Sequence, residues 1–297
     1  MNITSNLKKI KCVKIIQNVD LSLYTTYKIN GVGKYLVIPN DIDDLIKLTS
    51  YIKENNLKYK IIGGGSNLIF EGDYDGILIS LVKFDDVVIK ETKIHAGAGV
   101  SLMKLALKVS RLGLTGMEFA TGIPGTLGGA IFNNSGAYKS DMGYIVESVT
   151  VLTPDLKIKT MYNKDLDFHY RTSFFKKNPD FIVLDATIIL QKGDKETIKS
   201  VIEDRKKRRL MTQPLEYPSA GSVFRNPPSM YAGELIEKVG YKGKTVGGAK
   251  VSEKHANFII NYASATGSDI VKLIEQIKEK VKQEYDVDLI LEQEIVK

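Results

Sequence analysis

A mixed α+β fold is what this sequence predicts. Short apolar runs bounded by glycine, asparagine or proline read as strands, and other segments repeat their apolar residues at helical spacing. Between them lies a glycine-rich stretch, Gly116–Gly136, whose backbone must enter conformations or close contacts that side chains would obstruct. With 297 residues, 43% of them hydrophobic, the chain can fill two domains or one elaborated domain.

The start, through Ile29, reads as irregular, and KYLVIP at 34–39 as a strand. Asp41 is placed to cap a helix carrying Ile42, Leu45, Ile46, Thr49 and Ile52 on one face. KYKIIGGGSNLIF, 58–70, predicts strand, glycine turn, short strand, and Ile77–Ser80, Val87–Lys90 and Lys93–Ala96 continue the sheet. Ser101 caps a helix with Leu102, Leu105 and Val109 together and Gly113 near its end. Ser148–Leu152 and Phe181–Leu190 follow as strands, then a helix over about Thr197–Arg209 with Ile198, Val201 and Ile202 inward. A domain junction is expected near Val201–Pro218. Beyond it come a short helix ending at Lys238, a strand HANFIIN at 255–261, a helix striped by Ile270, Ile274, Ile277 and Val281, and a final strand DLILEQEIV.

Composition narrows the function classes. The formal charge of +7, from 42 basic and 35 acidic residues, permits a polyanion partner without demanding one. The basic run Arg205–Arg209 is a solvated helix face or one wall of a phosphate pocket; it lacks the aromatic interleaving of a nucleic-acid surface, so no nucleic acid is expected. Cys12 is the only cysteine, which excludes an intramolecular disulfide and cysteine zinc clusters. His95, His169 and His255 are widely separated, so no metal is expected. The N-terminus lacks a secretory pattern and no apolar run is long enough to span a bilayer, so membrane insertion is not expected and a cytoplasmic location is.

GMEFATGIPGTLGGAIFNNSG, 116–136, has two readings: a tight structural crossover, or a backbone cradle directing N–H groups at a phosphate-bearing or flavin-like cofactor, with Ser135 and the amides of Asn133 and Asn134 adding bonds. GGGSN at 63–67 offers the same choice between a plain turn and a pyrophosphate site, and matches neither the dinucleotide fingerprint nor the lysine-containing phosphate loop. Paired in one sheet-rich half, the two turns suit an extended dinucleotide cofactor.

An ordered set of motifs then resembles a known family. GGGSNLIF at 63–70, GMEFATGIPGTLGGAIFNNSGAY at 116–138, YRTSFF at 170–175, PSAGSVFRNP at 218–227, GGAKVSEKHANFIIN at 247–261 and LEQEIV at 291–296 are similar to the flavin-dependent UDP-N-acetylenolpyruvoylglucosamine reductases of peptidoglycan synthesis, the MurB family. The resemblance covers most of the chain. It implies a vanillyl-alcohol-oxidase-type FAD-binding region at 1–200, with subdomains of roughly 1–80 and 81–200, and an α+β substrate-binding domain at 201–297. It also implies that NADPH reduces bound FAD, which then passes hydride to the enolpyruvyl methylene carbon of UDP-N-acetylglucosamine enolpyruvate, a proton going to the adjacent carbon. The short segment after SFF looks like the compact form of the family, without the larger substrate-loop insertion and its tyrosine lid.

Residue by residue, the resemblance assigns FAD to Ile62, Gly63, Gly64, Gly65, Ser66, Asn67 and Leu68, and to Gly116, Thr121, Gly122, Ile123, Pro124, Gly125, Gly128, Gly129, Asn133, Ser135 and Gly136. Ser222 is the matched proton donor, whose bland reading is a turn hydroxyl. Arg171 suits the substrate carboxylate, against a surface ion pair. Glu294 is the matched acidic partner, with Glu292 on the same face under strand alternation. Tyr170, Arg225, Asn226, Lys250 and His255 are substrate-binding candidates, each with a plain alternative: core tyrosine, solvated charge, turn asparagine, satisfied histidine. A monomer is expected, with a dimer as the alternative. The competing functions are a noncatalytic FAD-binding scaffold, which would not need Arg171, Ser222 and a terminal carboxylate together, and a different flavin oxidase, which would reject UDP-sugars.

Overall fold

The computed structural model describes Leu7, Ile10 and residues 14–297, so Cys12 and most of the first residues lie outside the described residues. The chain divides into two compact units, neither continuous in sequence: one runs through Gln17, Tyr35–Gly64 and Gly76–Lys206, the other through Asn18–Lys34, Gly65–Asp75 and Lys207–Lys297. Each has its own buried apolar cluster.

The first unit is built around two sheets. A four-stranded sheet has the order Lys14–Asp20, Val32–Ile38, Tyr74–Ser80, Tyr59–Ile62, and its last pair is parallel, with Tyr59 opposite Ile77. The strand Lys14–Asp20 falls where irregular chain was expected; Asn18, at φ +50°, interrupts its extended backbone and masks the pattern. A five-stranded antiparallel sheet runs Ile158–Tyr162, Val146–Leu152, Ile182–Ile189, Lys93–Gly97, Val87–Lys90.

Helices cover these strands where capping and periodicity predict them. Asp41 Oδ1 accepts from the Asp44 N–H at 2.9 Å and opens the helix Ile42–Glu54, which buries Leu45, Leu48 and Ile52. Ser101 caps Leu102–Arg111, which buries Leu102, Leu105 and Val109 and stops before Gly113, at φ +80°. The glycine stretch is more ordered than a loop. It contains a 3-10 turn, Glu118–Gly122, and the seven-residue helix Leu127–Asn133, capped by Thr126 and ended by Asn134 in the left-handed region at φ 44°. The helix Lys195–Thr212 is longer than expected, and of the three residues assigned inward only Ile198 is buried; Val201 and Ile202 are half-buried.

The second unit centres on the helix Gly267–Tyr285. Thr266 and Asp269 form a reciprocal capping box, the Thr266 N–H donating to Asp269 at 3.0 Å and the Asp269 N–H to the Thr266 hydroxyl at 3.1 Å. Ile270, Leu273, Ile274, Ile277 and Val281 are fully buried in a cluster with Phe224, Leu235, Ala249 and Val251, each such side chain contributing about 1.5–3 kcal/mol of burial. Two expected strands are shorter than their apolar runs. Only Ile259–Asn261 of HANFIIN pairs, as the third strand beside Thr245–Val246 and Ala249–Val251, because His255–Phe258 closes a turn with the Phe258 N–H donating to the His255 carbonyl at 2.9 Å. Of DLILEQEIV, only Glu294–Val296 is a strand, parallel to Leu68–Phe70; Leu291 instead bridges Phe224 and the chain bends at Gln293.

Candidate active site

In the first unit the two glycine turns touch. The strand ending at the buried Ile62 delivers Gly63 and Gly64 against Gly125 and Thr126. A Cβ on Gly64 would lie 2.8 Å from the Gly125 Cα, and one on Gly63 would lie 2.5 Å from the Thr126 hydroxyl. Gly128 is equally confined, its would-be Cβ 2.9 Å from that of Ala98. Two side-chain-free backbones thus approach each other while Gly63, Gly64 and Pro124 stay exposed. Exposed backbone with no side chain over it, beside the Thr126 hydroxyl, is what a pyrophosphate needs. The residues present therefore fit an FAD diphosphate.

The rest of the stretch holds its neighbours. Glu118, 9% exposed, accepts from the Gly116 N–H at 2.9 Å and the Thr115 hydroxyl at 2.6 Å, and the Thr121 hydroxyl donates to the Glu118 carbonyl at 2.9 Å. Gly122, Ile123 and Gly129 are half-buried beside it. The Asn133 amide donates to the Gly129 carbonyl at 3.0 Å, the Ser135 carbonyl accepts from Met142 N–H at 3.1 Å, and Gly136 pairs with Asp141. Asn134, buried to 1% exposure, is directed elsewhere than toward a ligand: its amide oxygen accepts from the Gly143 N–H at 2.9 Å and its amide nitrogen donates to the His169 carbonyl at 2.9 Å.

That last bond fixes a tight turn. His169 and Thr172 exchange both backbone hydrogen bonds, at 3.1 and 3.0 Å, leaving Tyr170 and Arg171 at the tip. Arg171 has φ +55°, a backbone region that costs a non-glycine residue about 1–2 kcal/mol, and its guanidinium lies 5.3 Å from the Tyr170 ring centroid. The Arg171 carbonyl accepts from Lys176 Nζ at 3.2 Å, so the turn is held on both sides.

In the second unit, Gly65, Ser66, Asn67 and Leu68 run beside the C-terminal strand. Gly65 has φ +61°, and any Cβ there would strike the Tyr24 carbonyl oxygen. The Asn67 amide donates to the Glu292 carbonyl at 3.2 Å, and the Glu294 N–H donates to the Asn67 carbonyl at 2.9 Å. One candidate FAD segment thus sits directly on the segment that carries the candidate carboxylates. Only Glu294 lies within the C-terminal strand; Glu292 precedes the bend at Gln293, and both carboxylates are half-buried.

Ser222 follows Gly221, at φ +76°, and is half-buried. Beyond it, Val223 N–H donates to the Asn257 carbonyl and Glu292 N–H to the Val223 carbonyl, at 2.9 and 2.8 Å. Arg225 N–H donates to the Ile290 carbonyl at 2.8 Å, while its Nε is buried without a hydrogen-bond partner, a donor suited to an anion. The Asn226 amide oxygen accepts from Ala232 N–H at 3.1 Å, at the start of the helix Ala232–Lys238. Lys250 pairs with Glu253 at 2.5 Å and lies 4.8 Å from the Tyr262 ring centroid. His255 Nδ1 accepts from Asn257 N–H at 3.2 Å and its ring packs on Phe258; burial holds its pKa below the ordinary histidine value. Among the described residues no group of three or more His, Cys, Asp or Glu side chains is arranged to hold a metal, and no helix is long and apolar enough to cross a membrane.

Sequence reasoning missed two buried amides that organise these loops, Asn257 and Gln293, each 4% exposed, and gave a third, Asn134, to the cofactor where the structure spends it on the Gly143 and His169 backbone. Each works on backbone distant in sequence, for which local pattern carries no signal.

Known proteins resemble this chain over nearly its whole length. Residues 33–162 match the FAD binding domain family model, and residues 213–296 match that of the UDP-N-acetylenolpyruvoylglucosamine reductase C-terminal domain. Among curated relatives, the UDP-N-acetylenolpyruvoylglucosamine reductase of Anoxybacillus flavithermus is 43% identical over 94% of this chain and 93% of its own. That of Caldanaerobacter subterraneus is 44% identical over 95% and 94%. The crystal structure of the Thermus caldophilus enzyme, MurB, superposes with a TM-score of 0.81 at 30% identity, covering 96% of this chain and 98% of that one.

Proposed function

The chain belongs to the UDP-N-acetylenolpyruvoylglucosamine reductase (MurB) family, with an FAD-binding domain of the vanillyl-alcohol-oxidase type, and from that membership we propose how its own residues divide the work. It is a flavoprotein oxidoreductase of peptidoglycan synthesis, reducing UDP-N-acetylglucosamine enolpyruvate to UDP-N-acetylmuramate with NADPH. FAD, when bound, would supply the two-electron chemistry by which hydride from NADPH reaches the methylene carbon of the enolpyruvyl group.

The glycine turns at Gly63–Asn67 and Gly122–Gly129 hold the FAD diphosphate against the exposed backbone of Gly63 and Gly64, the N–H groups of Ile123, Leu127 and Gly128 being already bonded to the Ala120, Val100 and Ala98 carbonyls, as part of an FAD-binding region at 1–200, and 201–297 binds the substrate. Arg171 pairs with the substrate carboxylate and supports the charge that develops on it. Its placement at the tip of a two-residue turn, in a backbone region unfavourable for arginine, supports a functional reading over an incidental ion pair. Ser222 gives its hydroxyl proton to the carbon next to the one that receives hydride; the new C–H bond forms as the O–H bond breaks, and the alkoxide is reprotonated from solvent. Glu294 orients the substrate carboxylate. Arg225, Lys250, Asn226, Tyr170 and His255 shape and charge the substrate site, with His255 neutral. The enzyme works as a cytoplasmic monomer.

The observation that carries this assignment is the Ser222 loop itself: a half-buried hydroxyl directly after a positive-φ glycine, with the backbone beyond it fixed by Asn257 and Glu292. Isotope placement tests it. With NADPH deuterated at its transferred position, deuterium should appear on the former methylene carbon. In heavy water with unlabelled NADPH it should appear on the adjacent carbon only, and in the Ser222→Ala variant that second labelling should become slow. Unchanged labelling rates in the variant would remove Ser222 from the proton path.

A further inference from the structure

One buried amide in the C-terminal run has no role in the assignment above. Gln293 is 4% exposed, and every polar group of its side chain is engaged. Its oxygen accepts from the Tyr27 hydroxyl at 3.0 Å, and its nitrogen donates to the carbonyls of Ala220 and Gly221, both at 3.1 Å. A glutamine amide has two N–H donors, so both are spent on the consecutive carbonyls that precede Ser222. The orientation is determined chemically. Only carbonyls face the nitrogen, and Tyr27, fully buried with its pKa pushed up by burial, remains a hydroxyl donor toward the oxygen.

What this clamp does follows from peptide geometry. The Gly221 carbonyl lies in the same plane as the Ser222 nitrogen and Cα, so holding that oxygen fixes the rotation of the plane and the direction of the Ser222 N–Cα bond; with Val223 held as well, the direction in which the Ser222 Cβ leaves the chain follows. Gly221 needs such a restraint more than other residues. At φ +76°, with no atom within 4 Å of where a Cβ would stand, nothing in its own packing limits its backbone. On the far side of Ser222, the Asn257 and Glu292 backbones already hold Val223.

We propose that Gln293 is a positioning residue for Ser222: its amide, oriented by Tyr27, fixes the Gly221–Ser222 peptide and so aims the serine hydroxyl. The inference rests on the reading of Ser222 as the proton donor. A hydroxyl misplaced by about 1 Å lowers a proton-transfer rate by on the order of 100-fold.

The test uses full-length, FAD-loaded protein in two anaerobic half-reactions, flavin reduction by NADPH and reoxidation by UDP-N-acetylglucosamine enolpyruvate. Gln293→Met keeps the length of the side chain and removes all its hydrogen bonds. Tyr27→Phe removes only the bond that orients the amide. The expected result is near wild-type reduction by NADPH, reoxidation slowed roughly 10- to 100-fold in Gln293→Met and less in Tyr27→Phe, and little change in KM for the sugar nucleotide. In a Ser222→Ala background the Gln293 substitution should add nothing, since no hydroxyl is left to aim. Equal slowing in both backgrounds would show that Gln293 supports the fold only and would overturn the inference. If Ser222→Ala is slow while Gln293→Met and Tyr27→Phe both reoxidise at the wild-type rate, the inference alone fails. If Ser222→Ala itself reoxidises normally, the proton-donor reading fails and the inference with it. Should Gln293→Met not fold, Tyr27→Phe decides: slowed reoxidation that disappears in the Ser222→Ala background supports the inference, and wild-type reoxidation overturns it.

Discussion

Asn257 holds Phe224 by both of its backbone polar groups: the Phe224 N–H donates to the Asn257 amide oxygen at 3.0 Å, and the amide nitrogen donates to the Phe224 carbonyl at 2.8 Å. Both residues are buried, at 4% and 1% exposure, so neither backbone group has water as a substitute. Asn257→Leu should therefore cost roughly 2–4 kcal/mol, the penalty of leaving a buried donor and acceptor unpaired. Urea unfolding should show a lower midpoint with an unchanged slope.

Gly64 and Gly72 make a matched pair. A methyl group at Gly64 would lie 2.8 Å from the Gly125 Cα, whereas one at Gly72 would have no atom within 4 Å. Gly64→Ala must push the two turns apart, at about 1–3 kcal/mol, and should lower the flavin-to-protein absorbance ratio after purification. Gly72→Ala should leave both stability and flavin content unchanged.

Arg171 allows fold and function to be separated. Its φ of +55° costs about 1–2 kcal/mol relative to glycine, and glycine returns about 0.4–1 kcal/mol of that through unfolded-state entropy. Arg171→Gly should thus match or slightly exceed wild-type stability in a denaturation curve. Substrate-driven flavin reoxidation should nevertheless fall at least 10-fold through loss of the charge-assisted pair with the carboxylate, whose typical worth is about 1.5–3 kcal/mol.

His255 gives a pH dependence of defined sign. Burial, the largest cause, lowers its pKa from 6.5, so the unfolded chain takes up a proton that the folded one resists. Its contribution is therefore fully present above the unfolded pKa and is lost as pH falls from there toward the lower folded value. Stability from urea unfolding should decline from about pH 7.5 to pH 5.5 more steeply in the wild type than in His255→Gln. Parallel curves would contradict the burial argument.

Much of the fold was legible where the signal is local. Asp41 and Ser101 cap the helices they were expected to cap, and Ile270, Ile274, Ile277 and Val281 form one buried stripe. The short helix Leu127–Asn133 was not, because its Leu-Gly-Gly-Ala opening contains the poorest helix former apart from proline; Thr126 and the packing of Gly128 on Ala98 impose it. The run DLILEQEIV reads as one strand because alternation is all that a sequence shows. Its division at Gln293 depends on Tyr27 and on Ala220 and Gly221, 266, 73 and 72 residues away. In the candidate site, the glycines were legible from steric need and Arg171 and Ser222 from their motifs, while the amides of Asn257 and Gln293 act on remote backbone and leave no local trace, and that of Asn134, expected at the cofactor, holds the Gly143 and His169 backbone instead.

The central claim, that Ser222 serves the sugar-reducing half of the reaction and not the fold or the cofactor, is tested most directly by anaerobic stopped-flow on FAD-loaded Ser222→Ala. NADPH should bleach the flavin at the wild-type rate, and recovery of flavin absorbance on adding UDP-N-acetylglucosamine enolpyruvate should slow by on the order of 100-fold or more, within the range expected of a lost general acid. Recovery at the wild-type rate, or loss of both half-reactions together with the flavin, would contradict it.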